Sequence, residues 1–279
     1  MTIVFPSSYM SGRRVDEAFE REYEAAMAAG FDIALFQQQF WDERKEIRLD
    51  KEISAQALYR GWMMKPEEYQ LFYERLAENG LKLLTAPAQY SALHIFPNAY
   101  KYLKEDTPQT LFFPLHARMD VEEIRKQLGD FLIKDHVKSA KNTDFPVFFG
   151  RDMSQKVFDG WMERFYEIRG ELLTGGILAK QYVQLKKYDG HTNEYRVFYL
   201  CGHIVSVSRN SLQPGYTAML PRSLAEKYAA LPSPFYTVDY AEIEDGSWTV
   251  IEAGDGGVSG LSEGQDQGAF FRAVKAILQ

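Results

Sequence analysis

Length, composition and charge exclude several classes of protein for this chain. Its 279 residues are 46% hydrophobic and 25% charged, which is ordinary for a soluble globular protein and enough for one large domain or two moderate ones. The 39 acidic residues outnumber the 32 basic ones, and the net charge of -7 argues against non-specific nucleic-acid binding. No apolar stretch could span a bilayer and the first residues do not resemble a signal peptide, so we expect a cytoplasmic protein.

The first hundred residues alternate between strand and helix patterns. Strands are predicted at 3–5, 32–36, 57–63 and 81–84, and helices at 15–29 and 66–79. The second helix begins with Pro66, which suits a first helical turn, and stops before Gly80. This alternation predicts an open α/β layer with a mostly parallel sheet. Because Pro87, Pro97 and Pro108 interrupt the next segment, we place a domain boundary near residue 100.

Strands dominate the rest of the chain. They are predicted at 110–113, 131–134, 178–185, 194–200, 203–208, 235–243 and 248–252, with helices that begin at Asp120 or span 154–169 and 270–278. Tight turns at Cys201-Gly202 and Asp245-Gly246 indicate hairpins. We therefore expect an α+β arrangement, with residues 1–100 as a small α/β domain and 101–279 as the second domain. Cys201 is the only cysteine and is expected to be buried.

Three acidic residues near the end of the chain suggest a cation site. Asp239 lies in an apolar strand, Glu252 ends the next strand, and Asp255 follows in a glycine turn. Carboxylates at the ends of adjacent strands repel one another, so a bound cation would explain their grouping. Oxygen ligands suit Mg²⁺, which prefers one or two carboxylates together with the phosphates of a nucleotide. The alternative is a surface hairpin with a glycine turn.

A lysine and a polar strand upstream could contact a nucleotide. Lys134 ends an apolar strand beside the polar loop 136–150, so its ammonium could reach the phosphates while the loop, with Lys138, folds over them. Gln181-Tyr182-Val183 lies in a strand, where backbone N–H and C=O groups could pair with an adenine edge. The respective alternatives are a solvated lysine at a sheet edge and an ordinary β-strand.

Two arginines follow on consecutive strands. Arg196 lies in a strand that continues apolar and requires an anionic partner, because an unpaired buried charge is costly. That partner could be Glu194 or Asp239 in an ion pair, or a phosphate held bidentately. Arg209 ends the next strand, and a hairpin about Gly202 would bring both arginines to the same end of the sheet.

Other nucleotide and metal motifs are missing from the sequence. The histidines lack the paired spacing of a zinc site. The chain also contains no Walker A sequence and no protein-kinase catalytic loop.

The order of these segments resembles the ATP-grasp superfamily, and within it the clade named for its two arginines and one lysine. The matching segments are Ile133-Lys134-Asp135, Gln181-Tyr182-Val183, Glu194-Tyr195-Arg196-Val197-Phe198, Ser208-Arg209, Val238-Asp239 and Ile251-Glu252-Ala253-Gly254-Asp255-Gly256. They cover residues 100 to 279. The resemblance implies an ATP-grasp fold, in which antiparallel sheets with helices hold the nucleotide between two subdomains, preceded by a small α/β pre-ATP-grasp domain.

The resemblance also implies roles for single residues. Lys134 would hold the α- and β-phosphates, with Lys138 also at the nucleotide, and the segment 181–183 would border the adenine. Arg196 and Arg209 would bind the γ-phosphate and the acyl-phosphate transition state. Asp239 and Glu252 would carry Mg²⁺.

Two positions depart from the family pattern. Many ATP-grasp enzymes have Glu-x-Asn on the last strand, whereas this chain has Glu252-Ala253-Gly254-Asp255. Asp255 either replaces the asparagine as a third metal ligand or only forms the turn. Gln181 stands where many members have a glutamate.

By this resemblance, we expect an ATP- and Mg²⁺-dependent ligase that joins a carboxylate to an amine or similar nucleophile through an acyl phosphate. Its partners would be ATP and small-molecule or peptide substrates, with no membrane, and homodimerisation is left open. One alternative is a non-catalytic ATP-binding module that regulates or binds a partner. Another is a carbohydrate- or protein-binding α+β protein whose aromatic residues, 14% of the chain, form a binding face. The sequence does not identify the substrates.

Overall fold

The computed structural model describes residues 1–140, 143–209 and 213–279, so Lys141 and Asn142 of the polar loop lie outside the described residues. The strands are β1 Thr2–Ser8, β2 Ser11–Val15, β3 Asp32–Phe36, β4 Ala55–Tyr59, β5 Leu81–Leu83, β6 Thr110–Phe113, β7 Phe131–Asp135, β8 Ile177–Gln181, β9 Lys187–Tyr188, β10 His191–Thr192, β11 Glu194–Leu200, β12 His203–Arg209, β13 Phe235–Glu242 and β14 Trp248–Asp255. The α-helices are α1 Glu20–Ala28, α2 Gln38–Arg44, α3 Pro66–Glu78, α4 Pro87–His94, α5 Phe96–Leu103, α6 Val121–Leu128, α7 Gln155–Arg169, α8 Arg222–Lys227 and α9 Gln267–Leu278. Short 3₁₀ helices lie at Glu17–Phe19 and Gly170–Leu172.

The first unit is the predicted α/β layer. Strands β3, β1, β4 and β5 lie side by side and parallel, and β2 folds back antiparallel onto the end of β1. The aromatic side chains of Phe36, Trp41 and Phe72 are buried together in its core, which stabilises α2 and α3 against the sheet.

Two helices occupy the segment that the prolines were expected to interrupt. Pro87 and Pro97 lie in the first turns of α4 and α5, where the missing N–H of a proline costs no helical hydrogen bond. The expected burial of Cys201 was also wrong: this residue is exposed in the turn between β11 and β12, with a φ of 49°. Among the described residues, no helix is both long enough and apolar enough to cross a membrane.

Two antiparallel sheets confirm the predicted α+β fold. One has the strand order β6-β8-β7 and the other β12-β11-β13-β14. The first carries Lys134 and the second carries Glu252, and these two side chains meet. The two sheets therefore face each other across the predicted site.

The beginning and the end of the chain are packed together. Ile3 and Phe5 of β1 share a buried cluster with Phe198 of β11 and Phe270 of α9. Lys275 of α9 donates hydrogen bonds from Nζ to the carbonyls at the end of α1, at 2.7 and 2.9 Å. The parallel sheet is therefore held against the four-stranded sheet.

Candidate active site

Arg196 and Asp239 form a bidentate ion pair across neighbouring strands. The register of β11 and β13 places them directly opposite, with Nε–Oδ1 at 2.8 Å and Nη2–Oδ2 at 2.7 Å. Nη1 donates to the Gly260 carbonyl at 2.9 Å. Burial opposes the charge on Arg196, but the bonds to Asp239 outweigh it and raise the arginine pKa. Of the partners considered for Arg196, the structure shows Asp239.

Lys134 and Glu252 form the second ion pair of the site. Lys134 Nζ lies 2.8 Å from Glu252 Oε2, and the side chains are 14% and 30% exposed. Glu252 is the cross-strand neighbour of Asp239 on the same face of the sheet. Burial raises the pKa of Asp239, and the charge of Glu252 adds to that rise despite the nearby Arg196. Two cations and two carboxylates are thus gathered in one place.

A β-bulge turns Glu252 toward this face. Ile251 is an extra residue in β14, between the residues that pair with Tyr240 and with Asp239. Side chains alternate along a strand, so without the extra residue Glu252 would point to the opposite face. The carbonyl of Ile251 accepts a hydrogen bond from Lys180 Nζ at 2.6 Å.

Lys180 is a buried member of the site that the sequence analysis missed. Its Nζ also donates to Thr107 Oγ1 at 3.0 Å and lies 4.6 Å from the centre of the Phe96 ring. Burial, followed by the charge of Lys134, lowers its pKa to about 7. The feature of the sequence that could have identified it is a charged residue at position 180 at the end of the otherwise apolar run 177–180.

A small cavity of about 90 Å³ lies at the two ion pairs. Arg196, Asp239, Glu252 and the exposed Lys138 line it, together with His94 of α4. Burial, with a further effect of Lys138, lowers the pKa of His94 to about 4, so this imidazole is neutral at pH 7. Sequence reasoning missed His94 because α4 was not predicted.

Arg209 is not brought to this cavity. Arg209 pairs with Tyr195, whereas Arg196 pairs with Ser208. Because side chains alternate along a strand, the two arginines lie on opposite faces of the sheet. Arg209 Nη2 donates to the Gly215 carbonyl at 3.0 Å. The predicted hairpin does bring both arginines to the same end of the sheet, but on opposite faces. The catalytic role of Arg209 stays a prediction.

Asp255 is also separated from the carboxylate pair. It is buried opposite Tyr236, and its Oδ1 accepts a hydrogen bond from the Gly257 N–H at 2.8 Å. Its Oδ2 is buried and has no hydrogen-bond partner among the described residues. In the described parts of the chain, no group of three or more His, Cys, Asp or Glu side chains could hold a metal. The structure therefore brings together Asp239 and Glu252 but not the third predicted ligand.

We expect Asp255→Asn to change how stability depends on pH. Burial raises the pKa of Asp255 to about 7, so between pH 4 and 7 the folded protein holds a proton that the unfolded chain has released. The free energy of unfolding of the wild type should therefore fall as the pH rises from 4 to 7, and the variant should lack that decrease. Urea unfolding of both proteins at several pH values measures the difference. If the difference in the free energy of unfolding between the two proteins is the same from pH 4 to pH 8, the prediction is wrong.

The predicted adenine segment lies outside the cavity, and it is not mid-strand as predicted, because β8 ends at Gln181. The N–H groups of Gln181 and Tyr182 donate to the carbonyls of Gln109 and Asp130, each at 2.8 Å. Among the residues that the structure describes, no group accepts a hydrogen bond from the Val183 N–H. One backbone donor of the segment is therefore available to a ligand.

Arg60 joins the parallel sheet to the glycine turn after β14. Its guanidinium is 1% exposed and forms two 2.8 Å hydrogen bonds with the carboxylate of Glu22 in α1. Nη1 donates to the carbonyls of Gly256 and Ser259. This turn continues to Gly260, the carbonyl that Arg196 contacts. The N-terminal unit thereby fixes one wall of the site.

Comparisons with known proteins were consistent with this geometry. A family profile matches residues 121–274, over half of the chain; it describes an ATP-grasp domain of the third family in the clade named for two arginines and one lysine. D-cycloserine synthetase DcsG is 15% identical over 100% of both chains, with a TM-score of 0.64. The ATP-grasp ligase PsnB, solved with a minimal precursor, Mg and ADP, is 13% identical over 100% of this chain and 97% of its own, with a TM-score of 0.62. A RimK domain ATP-grasp protein from Sphaerobacter thermophilus is 18% identical over 98% of both chains, with a TM-score of 0.60. No curated protein matches the sequence.

Proposed function

Because the chain belongs to the ATP-grasp superfamily, in the third family of the clade with two arginines and one lysine, we propose that it is an ATP- and Mg²⁺-dependent ligase joining a carboxylate to an amine or similar nucleophile. The observation that carries the proposal is the pairing of Lys134 with Glu252 and of Arg196 with Asp239 at one cavity. Two cations for phosphates and two carboxylates for a metal are the groups that a magnesium nucleotide requires.

The carboxylate pair suits Mg²⁺. Asp239 and Glu252 offer oxygen ligands from one face of the sheet, and the rest of the coordination would come from phosphates and water. The raised pKa of Asp239 reflects burial and carboxylate repulsion, both of which a nearby cation offsets. When bound there, Mg²⁺ would neutralise charge on the phosphates.

We propose a reaction in two steps. A carboxylate oxygen of the donor attacks the γ-phosphorus, the bond from phosphorus to the ADP oxygen breaks, and an acyl phosphate forms. The amine nitrogen then attacks the acyl carbon; the C–N bond forms, and inorganic phosphate leaves with the electron pair of the broken C–O bond. The nitrogen releases its proton to water. Lys134 and Arg196 would hold the phosphates throughout, because positioning and charge neutralisation carry most of the catalysis in phosphoryl transfer.

The remaining predicted contacts involve the nucleotide. Lys138 is exposed at the cavity, and from there its ammonium would cover the phosphates. In the segment 181–183, the available N–H of Val183 supports contact with an adenine edge. Gln181 and Tyr182 would then contribute carbonyl and ring contacts.

We expect Mg-ATP to raise the melting temperature of the wild type and to lose this effect in Lys134→Ala. The substitution removes the ammonium proposed to hold the phosphates, whereas Lys156→Ala changes an exposed lysine on α7 and should respond like the wild type. Differential scanning fluorimetry with ATP, with and without Mg²⁺, makes the comparison. An absent response in the wild type would overturn nucleotide binding altogether.

Turnover separates a ligase from a binding module. ADP release is measured with a panel of amino acids and peptides, and products are identified by mass spectrometry. ADP release coupled to a new amide supports the proposal. Tight Mg-ATP binding without turnover on any acceptor would favour the non-catalytic module instead.

A further inference from the structure

A second and larger cavity adjoins the first. It has a volume of about 540 Å³ and lies between the 3₁₀ helix at Glu17–Phe19, the beginning of α1, the segments 60–63 and 257–263, and Gln267. Both cavities share Met63 and the segment 258–260 as walls. Small-molecule sites commonly measure about 300 to 1,000 Å³, so this cavity can hold a substrate that the 90 Å³ cavity cannot.

One wall of this cavity is aromatic and fixed in orientation. The rings of Phe19 and Trp62 meet edge to face, with their centres 5.1 Å apart. Trp62 Nε1 donates to Asp16 Oδ2 at 3.2 Å, and the side chain remains 46% exposed. A held but exposed tryptophan offers an apolar surface to a ligand.

The charged groups of the cavity leave an excess of carboxylates. Glu22 and Arg60 neutralise each other in their buried ion pair. Within the described ranges, Glu17, Arg21 and Glu263 are exposed and form no ion pair, which leaves two carboxylates against one guanidinium. This balance favours a cationic ligand.

A neutral group in the wall also lacks a donor. Gln267 lines the cavity, and its Oε1 is buried with no hydrogen-bond partner among the residues described. A buried acceptor without a donor is unfavourable, so a rotation of the Gln267 amide that exposes Oε1 to a ligand N–H in the cavity would be favoured. The two carboxylates and an amide oxygen that still lacks a donor both select for N–H donors.

We infer that this cavity binds the acceptor of the ligation, a primary amine with an aromatic or other apolar body. The inference rests on the proposed function, because the acyl phosphate would form in the adjoining cavity. The ammonium would lie toward Glu17, Glu263 and Gln267, and the apolar body against Trp62. Before attack, the ammonium transfers one proton to a cavity carboxylate and from there to water, which leaves the nitrogen lone pair available.

Calorimetric titration of the full chain with matched probes, in the presence of Mg-ADP, tests the inference. L-phenylalaninamide carries the amine and the apolar body, whereas N-acetyl-L-phenylalaninamide lacks the basic amine and N-acetyl-L-phenylalanine carries a carboxylate instead. We expect only the first to bind. Its Kd should rise about tenfold or more in Trp62→Ala and in the double variant Glu17→Gln/Glu263→Gln, since each removes a main contact. Glu24→Gln, an exposed position of α1 outside the cavity, should bind like the wild type.

Each outcome separates this inference from the proposed function. Magnesium-nucleotide binding with no binding of L-phenylalaninamide would overturn the acceptor site alone. Stronger binding of N-acetyl-L-phenylalanine would also overturn it, because the cavity would then receive the carboxylate substrate. Absence of nucleotide binding in the same samples would overturn the proposed function and, with it, the acceptor role.

Discussion

Arg196→Ala is expected to lower the turnover number by about 100- to 1,000-fold, as the loss of a preorganised transition-state contact does in other enzymes. Mg-ATP binding should largely persist, because Lys134 and the adenine segment remain. The guanidinium is already fixed by Asp239 and the Gly260 carbonyl, so little reorganisation is needed when charge develops on the transferring phosphoryl group. Steady-state kinetics gives the turnover number, and fluorimetry with Mg-ATP reports binding in the same variant.

Two further variants sharpen this test. Arg196→Lys retains the positive charge but loses the bidentate ion pair with Asp239. Its turnover number should therefore lie between those of the wild type and of Arg196→Ala. Arg209→Ala tests the predicted second arginine, which the structure places on the other face of the sheet. A catalytic Arg209 requires a loss of turnover comparable to that of Arg196→Ala. Equal losses of binding and turnover in Arg196→Ala would count against a transition-state role.

The positions of most strands could be predicted because apolar residues mark them clearly. The predicted bounds of β3, β6 and β11 agree with the structure. Lys134, Arg196 and Asp239 each lie in or at the end of such a strand, so their convergence follows from strand order. The pairing of Arg196 with Asp239 was among the alternatives considered, and register selects it.

Single-residue bulges explain why the faces on which Arg209 and Glu252 lie could not be predicted. In β12, Val205 is an extra residue between those that pair with Tyr199 and Phe198, and it turns Arg209 away from the face of Arg196. In β14, Ile251 has the opposite consequence, because it turns Glu252 toward the site. Bulges depend on tertiary contacts and leave little trace in an apolar pattern.

The site residues that lie on helices were missed for a different reason. In the sequence, Pro87 and Pro97 resemble interruptions of secondary structure, although each lies in the first turn of a helix in the structure. His94 and Phe96 reach the site from these helices. Arg60 follows β4, and its buried partners could not be predicted because Glu22 and Ser259 are 38 and 199 residues away in the sequence.

We expect Arg60→Met to lower the free energy of unfolding by about 3 to 5 kcal/mol, the typical cost of removing one partner from a buried ion pair. Glu22 would be left buried without its counter-charge, and the Gly256 and Ser259 carbonyls would lose their donor. Urea unfolding at constant pH measures the change. Arg75→Met, which removes an exposed helical ion pair with Glu78, serves as the control and should change stability little.

The double variant Arg60→Met/Glu22→Leu separates the charge effect from the loss of the hydrogen bonds. Replacing both partners of a buried pair by apolar groups is often close to neutral, so most of the stability should return. Any deficit that remains then reports the two carbonyls of the glycine turn, which a methionine side chain cannot satisfy. Because the same turn carries the carbonyl that Arg196 contacts, the double variant should be stable yet slow in turnover. A single variant as stable as the wild type would show that the turn holds its shape without Arg60.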